Sequence, residues 1–90
     1  MEELANQLGD IMRQLLNGGF SVPLYFTTVA ANGAIVSGKY EWATDHPGLD
    51  ATVTQCSEQP LLLPLNMMFV DGAGKAARVL IQRSGPRWLN

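Results

Sequence analysis

The sequence has few charged residues, a single cysteine and no long hydrophobic run. Six basic and eight acidic residues give the 90-residue chain a net charge of -2. Because nucleic-acid binding requires a basic surface, we expect no nucleic-acid partner. The lone cysteine excludes an internal disulfide and favours a reducing compartment. The richest apolar stretch, 61–70, is interrupted by Pro64 and Asn66. It is far shorter than the ~20 residues of a membrane helix, so we expect no membrane insertion.

A signal peptide and intrinsic disorder are also disfavoured by the composition. The chain opens with Met1, Glu2 and Glu3, which is acidic where a signal peptide would be basic. Apolar side chains make up 47% of the residues, too many for a disordered chain. We therefore predict one folded domain over residues 1–90, located in the cytoplasm.

Residues 3–17 carry the only clear helical period. The apolar positions that fall on one helical stripe are Leu4, Leu8, Ile11 and Leu15. Asn17, Gly18 and Gly19 follow, and glycine accepts the left-handed backbone that ends many helices. A helix of this length is marginal on its own, so we expect it to pack on another element.

From Phe20 onward the hydrophobic period is two, which is typical of strands. The predicted strands are 20–31, 34–43, 49–57, 61–71 and 76–83. No connection is long enough for a crossover helix, so neighbouring strands should be antiparallel. The predicted fold is α+β: one N-terminal helix packed on a five-stranded antiparallel, meander-like sheet. Pro23 and Pro64 fall inside predicted strands, where proline favours an edge or a bulge, so the strand order stays open.

Two hairpin registers follow from the burial pattern. A two-residue loop at Asn32 and Gly33 would place Lys39 opposite Phe26, whereas a three-residue loop over 31–33 keeps charges off the apolar face. A three-residue loop over 72–74 does the same for the last hairpin, with Gly33 and Gly74 in the left-handed conformation. Asp71 then stands where its carboxylate can accept a hydrogen bond from the turn backbone.

These registers leave apolar residues on the sheet face that points away from the helix. They are Leu62, Met68, Val70 and Leu80, with Cys56 at the end of the third strand on the same face. Two interpretations remain open. The tail over 86–89 covers these residues, or they form a subunit interface to which Trp88 contributes.

Candidate catalytic residues are few. His46 lies between Asp45 and Asp50 in a segment whose Asp, Pro and Gly residues are typical of a turn. Cys56 has no neighbouring cation that would activate its thiol. Lys75 follows Gly72, Ala73 and Gly74, but the rest of a phosphate-binding loop is missing, so we predict that Lys75 is a solvated turn residue. We predict no catalytic residue, no metal site and no cofactor.

The leading hypothesis is a non-enzymatic interaction module that self-associates as a homodimer through the outer sheet face and the tail. The alternative is a carrier of small apolar ligands with a pocket between helix and sheet. Its predicted lining residues are Met12, Tyr40, Trp42 and Met67. An enzyme acting through His46 or Cys56 is the third and least favoured hypothesis.

Overall fold

The computed structural model describes residues 2–41, 55, 56, 58 and 61–89. Its elements are helix α1 (Glu2–Asn17) and strands β1 (Leu24–Val29), β2 (Ile35–Tyr40), β3 (Leu65–Asp71), β4 (Ala76–Ile81) and β5 (Arg87–Leu89). The strands form one sheet in the order β2-β1-β3-β4-β5, and every neighbouring pair is antiparallel. The predicted α+β class, with one helix and a five-stranded antiparallel sheet, is confirmed.

Helix α1 packs through the predicted apolar stripe. Leu4, Leu8, Ile11 and Leu15 are all buried, as is Met12 beside them. Gly19 has a φ of 101°, and the N–H of Phe20 donates to the Leu15 carbonyl at 3.0 Å. This bond closes the helix end in the manner of a Schellman motif, so the predicted glycine stop is confirmed.

The β1–β2 hairpin has the predicted three-residue loop. Ala30 donates its N–H to the Ala34 carbonyl at 2.8 Å, and Gly33 has a φ of 86°. In the resulting register, Phe26 faces Gly38 and Leu24 faces Tyr40. Apolar residues of both strands therefore share the helix side of the sheet.

The β3–β4 hairpin follows the same rule. Its three-residue loop over 72–74 contains Gly74 with a φ of 87°. Met67 consequently faces Val79, and Phe69 faces Ala77, on the helix side of the sheet. Both predicted registers are correct because a shift of one residue would have exposed these core side chains.

The sheet is not a simple meander, since β1 lies between β2 and β3 and pairs with both. Pro23 and Pro64 each stand immediately before a strand, β1 and β3 respectively, and both follow cis peptide bonds. Neither proline therefore interrupts a ladder of hydrogen bonds. The predicted strands 20–31 and 61–71 begin too early for this reason.

The predicted third strand is wrong where the structure describes it, because Gln55 and Cys56 are helical. Residues 49–54 and 57 lie outside the described residues. The fifth strand is instead the tail segment Arg87–Leu89, which pairs with β4. The other two predicted strands, 34–43 and 76–83, end earlier in the structure, at Tyr40 and Ile81.

Candidate functional site

Helix α1 packs on one face of the sheet, and the opposite face, here called the outer face, carries exposed apolar side chains. The most exposed are Ile35 (77%), Leu62 (64%) and Val29 (59%), followed by Tyr25 (46%) and Val70 (37%). An antiparallel sheet commonly has one solvated face, but that face is normally polar. The outer face therefore departs from the pattern of an ordinary solvated sheet.

A groove of about 620 Å³ runs across this face and is called the outer groove. Val29, Ile35 and Leu62 contribute to its apolar lining, together with Met68. The segment that leads into β3 brings Leu62 and Pro64 to the same groove. The most exposed apolar residues of the described chain are therefore clustered around one concavity.

Arg78 is the only charged residue that lines the outer groove among the residues described. It faces Met68 on one neighbouring strand and Leu89 on the other. Arg78 itself is exposed, and both residues opposite it in the sheet are apolar.

One polar side chain of the groove lining, Thr28, links two strands of the sheet. Thr28 is buried, and its hydroxyl donates to the carbonyl of Asn66. This bond links the end of β1 to the start of β3. It satisfies a buried hydroxyl that would otherwise be costly to bury.

Four of the five predicted interface residues lie on the outer face. Leu62 and Val70 are exposed there, and Met68 and Leu80 are half-buried. Trp88, by contrast, faces Val79 across β4 and β5, and Val79 is fully buried on the helix side.

The tail consequently extends the sheet edge. Its residues on the outer face are Arg87, opposite Leu80, and Leu89, opposite Arg78. Parity along the short β5 strand places Trp88 on the other face. It lines a second groove of about 460 Å³ with residues of both faces, Leu15 and Phe20 on the helix side and Met68 and Arg78 of the outer face.

The residues predicted to line a pocket between helix and sheet are packed in the core. Met12, Tyr40 and Met67 have at most 2% of their surfaces exposed. Burial raises the pKa of the Tyr40 hydroxyl, and the nearby Arg13 partly opposes that shift. Trp42, the fourth predicted lining residue, lies outside the described residues.

Cys56 was expected on the outer face of a strand but is buried in the core cluster with the helix stripe. Burial raises the pKa of its thiol, which favours the unreactive protonated form. His46, Asp45 and Asp50 lie outside the described residues. Within the described ranges, no group of three or more His, Cys, Asp or Glu residues is arranged to hold a metal ion.

Lys75, predicted as a solvated turn residue, is exposed but also contacts two residues that follow α1. Its Nζ donates to the Gly19 carbonyl at 3.3 Å and lies 5.8 Å from the centre of the Phe20 ring. This side chain therefore ties the β3–β4 turn to the end of α1.

Sequence reasoning missed the contribution of β1 and β2 to the outer face. Alternation along the sequence also places Tyr25, Val29 and Ile35 on that face, beside polar residues such as Thr27 and Ser37, a mixture that is typical of an ordinary solvated sheet. Their significance depends on the segment before β3, which places Leu62 beside Val29 and Ile35 around the outer groove. The available signal was the run Leu61 to Leu63 before Pro64, too apolar for a simple surface connection.

The chain matches no protein-family model, no curated protein and no solved structure. In the portion of the chain that the structure describes, no helix combines the length and hydrophobicity needed to cross a membrane.

Proposed function

We propose that the protein is a non-enzymatic interaction module that self-associates as a homodimer through its outer face. The observation that carries this proposal is the cluster of Val29, Ile35 and Leu62, each more than half exposed, around one groove. Contiguous exposed apolar surface is unfavourable in water and commonly marks a binding surface.

A second copy is the proposed occupant because the outer groove and its apolar walls belong to the same surface. In a two-fold interface, each subunit presents the same patch to the other. Exposed wall residues such as Ile35 and Leu62 from one copy then pack against the same apolar walls of its partner, over the groove. Each copy buries the same apolar surface, so a single patch on the chain supplies both sides of the interface.

The carrier hypothesis, with a ligand between helix and sheet, receives less support. Met12 and Tyr40 are closed into the core and line neither groove, and Met67 alone among the described residues predicted for that pocket lines the outer groove. We retain the cytoplasm as the proposed location, since a single cysteine, Cys56, permits no disulfide within the chain.

Sedimentation velocity over a range of micromolar concentrations tests self-association. We expect a species of twice the 9.8 kDa chain mass that dissociates on dilution. Ile35→Asp should shift the population towards monomer, because it places a carboxylate in the proposed apolar interface. Circular dichroism should show that this variant keeps its fold, since Ile35 is 77% exposed.

Asn6→Asp is the matched control, because it adds the same charge at an exposed position of α1. This variant should sediment like the parent chain. A parent chain that remains at 9.8 kDa at every concentration would overturn the homodimer. Equal dissociation of both variants would show that net charge, and not the outer face, controls association.

A further inference from the structure

Arg78 gives the outer groove a positive charge that has no role in the proposed self-association. The walls contributed by Val29, Ile35 and Leu62 are apolar, while Arg78 is the only charged lining residue in the part of the chain described. Arg78 is an exposed side chain of β4, and Ile35 belongs to β2, three strands away in the sheet. The groove thus joins a cationic end to an apolar end.

The charge and the apolar walls together restrict the class of ligand. A neutral hydrocarbon would leave the Arg78 guanidinium without an anionic partner. A small anion such as acetate would leave the apolar walls in water. A molecule with an alkyl chain and one carboxylate satisfies both ends, since guanidinium and carboxylate form paired, charge-assisted hydrogen bonds.

The size of the groove fits the same class. Its volume of about 620 Å³ lies within the roughly 300–1,000 Å³ typical of small-molecule sites. The three strand spacings between β2 and β4 amount to roughly 14 Å. An extended medium-length alkyl chain covers such a distance from Arg78 towards Ile35.

We propose that the outer groove binds a carboxylate with a medium-length alkyl chain, with the carboxylate on Arg78 and the alkyl chain along Val29, Ile35 and Leu62. This inference goes beyond the proposed homodimer and does not require it. A single subunit supplies both the cation and the apolar walls. Self-association would cover the ligand but would not create its site.

Isothermal titration calorimetry with laurate, kept below its micelle-forming concentration, tests the proposal. We expect saturable binding to the parent chain and at least about tenfold weaker binding to Arg78→Gln, which loses the ionic hydrogen bonds. Arg83→Gln is the matched control, because Arg83 is an exposed arginine outside the groove lining. This control should bind laurate like the parent.

Two further probes separate the contributions of chain and charge. Acetate should show no measurable binding, since it lacks the alkyl chain. Dodecyltrimethylammonium, which has the same chain length with the opposite charge, should bind the parent more weakly than laurate does. It should also lose no affinity in Arg78→Gln.

The proposal is overturned if laurate does not bind the parent chain, or if Arg78→Gln and Arg83→Gln bind it equally well. Sedimentation of the same samples keeps this test separate from self-association. Saturable, Arg78-dependent binding to a 9.8 kDa monomer would support the ligand site while overturning the homodimer. A dimer that fails to bind laurate would support the homodimer while overturning the ligand site.

Discussion

At the scale of single residues, Gly38 decides how the large Phe26 ring fits between strands. A Cβ added at Gly38 would lie 2.3 Å from the Phe26 Cζ atom. Phe26 is buried and its ring centre lies 6.4 Å from that of Phe69, so it has little room to move. We expect Gly38→Ala to lower the free energy of unfolding by about 1–3 kcal/mol through overpacking.

Urea denaturation measures this loss, and Ser37→Ala is the matched control. Ser37 is exposed and points to the outer face, so its substitution should change stability by no more than about 0.5 kcal/mol. Equal stability of the two variants would contradict the packing of Phe26 against Gly38.

The face on which a side chain lies could be predicted wherever a hairpin loop determined how two strands pair. Gly38 and Phe26 were placed together because the alternative loop brought Lys39 onto the apolar face. Cys56 was misplaced because no such loop anchored its segment: alternation was extended into a segment that is helical at Gln55 and Cys56. A period of two over a few residues does not exclude a helical turn.

At the scale of elements, Asp71 connects the β3–β4 turn to the segment that enters β1. Its Oδ1 accepts hydrogen bonds from the N–H groups of Ala73 at 3.0 Å and Lys75 at 2.7 Å. Its Oδ2 accepts from the Ser21 N–H at 2.7 Å. These backbone donors, with that of Ser21 contributing most, hold the pKa of the Asp71 carboxyl below its usual value.

The lowered pKa of Asp71 predicts a specific loss of stability in acid. Because the folded state favours the carboxylate, its stabilisation is complete above the unfolded-state pKa of about 3.9 and is lost as the pH falls through the lower folded-state pKa. Asp71→Asn keeps an acceptor for the turn but presents an amide to Ser21. We expect its urea midpoint to lie below that of the parent at neutral pH.

The difference between the two midpoints should shrink as the pH is lowered below about 4, since the parent then loses its carboxylate as well. Urea titrations from neutral pH into this acidic range make the comparison. A difference that stays constant with pH would show that the Asp71 charge does not stabilise the fold.

Local elements could be predicted from the sequence, but their order in the sheet could not. The helix stripe and the two hairpin loops are determined by residues close in sequence, such as Gly33 and Gly74. The pairing of β1 with β3 joins segments some forty residues apart, and no local pattern encodes it. The tail strand was missed because the three residues of β5 are too few to display a period.

At the scale of the whole molecule, only part of the candidate site followed from the sequence. Parity placed Leu62, Met68, Val70 and Leu80 on the outer face, where the structure also has them. The groove itself depends on how the segment before β3 approaches β1 and β2, which is a matter of tertiary packing. Trp88 was grouped with these residues because the pairing of β5, and hence its parity, was not predicted.

The neighbouring residues Leu80 and Val79 give a whole-molecule test of the two faces. Val79 is fully buried against the helix side, so Val79→Asp places an unpaired charge in the core at a cost of several kcal/mol. Small domains have only about 5–15 kcal/mol of stability in total, and we expect this variant to be largely unfolded by circular dichroism.

Leu80 is half-buried on the outer face, opposite Asn66 and Arg87. A carboxylate there has the Arg87 cation opposite it on the neighbouring strand, so Leu80→Asp should lower the stability of an isolated subunit by about 1 kcal/mol or less.

In the proposed homodimer the same carboxylate loses water at the interface, which weakens association. Because association stabilises the folded state by mass action, the parent's melting temperature should rise with protein concentration, and that of Leu80→Asp should not. Thermal melts over a hundredfold concentration range make the comparison. If the two variants melt alike, the assignment of opposite faces to Val79 and Leu80 is wrong. If Leu80→Asp keeps the concentration dependence of the parent, the outer face around Leu80 is not where two copies meet.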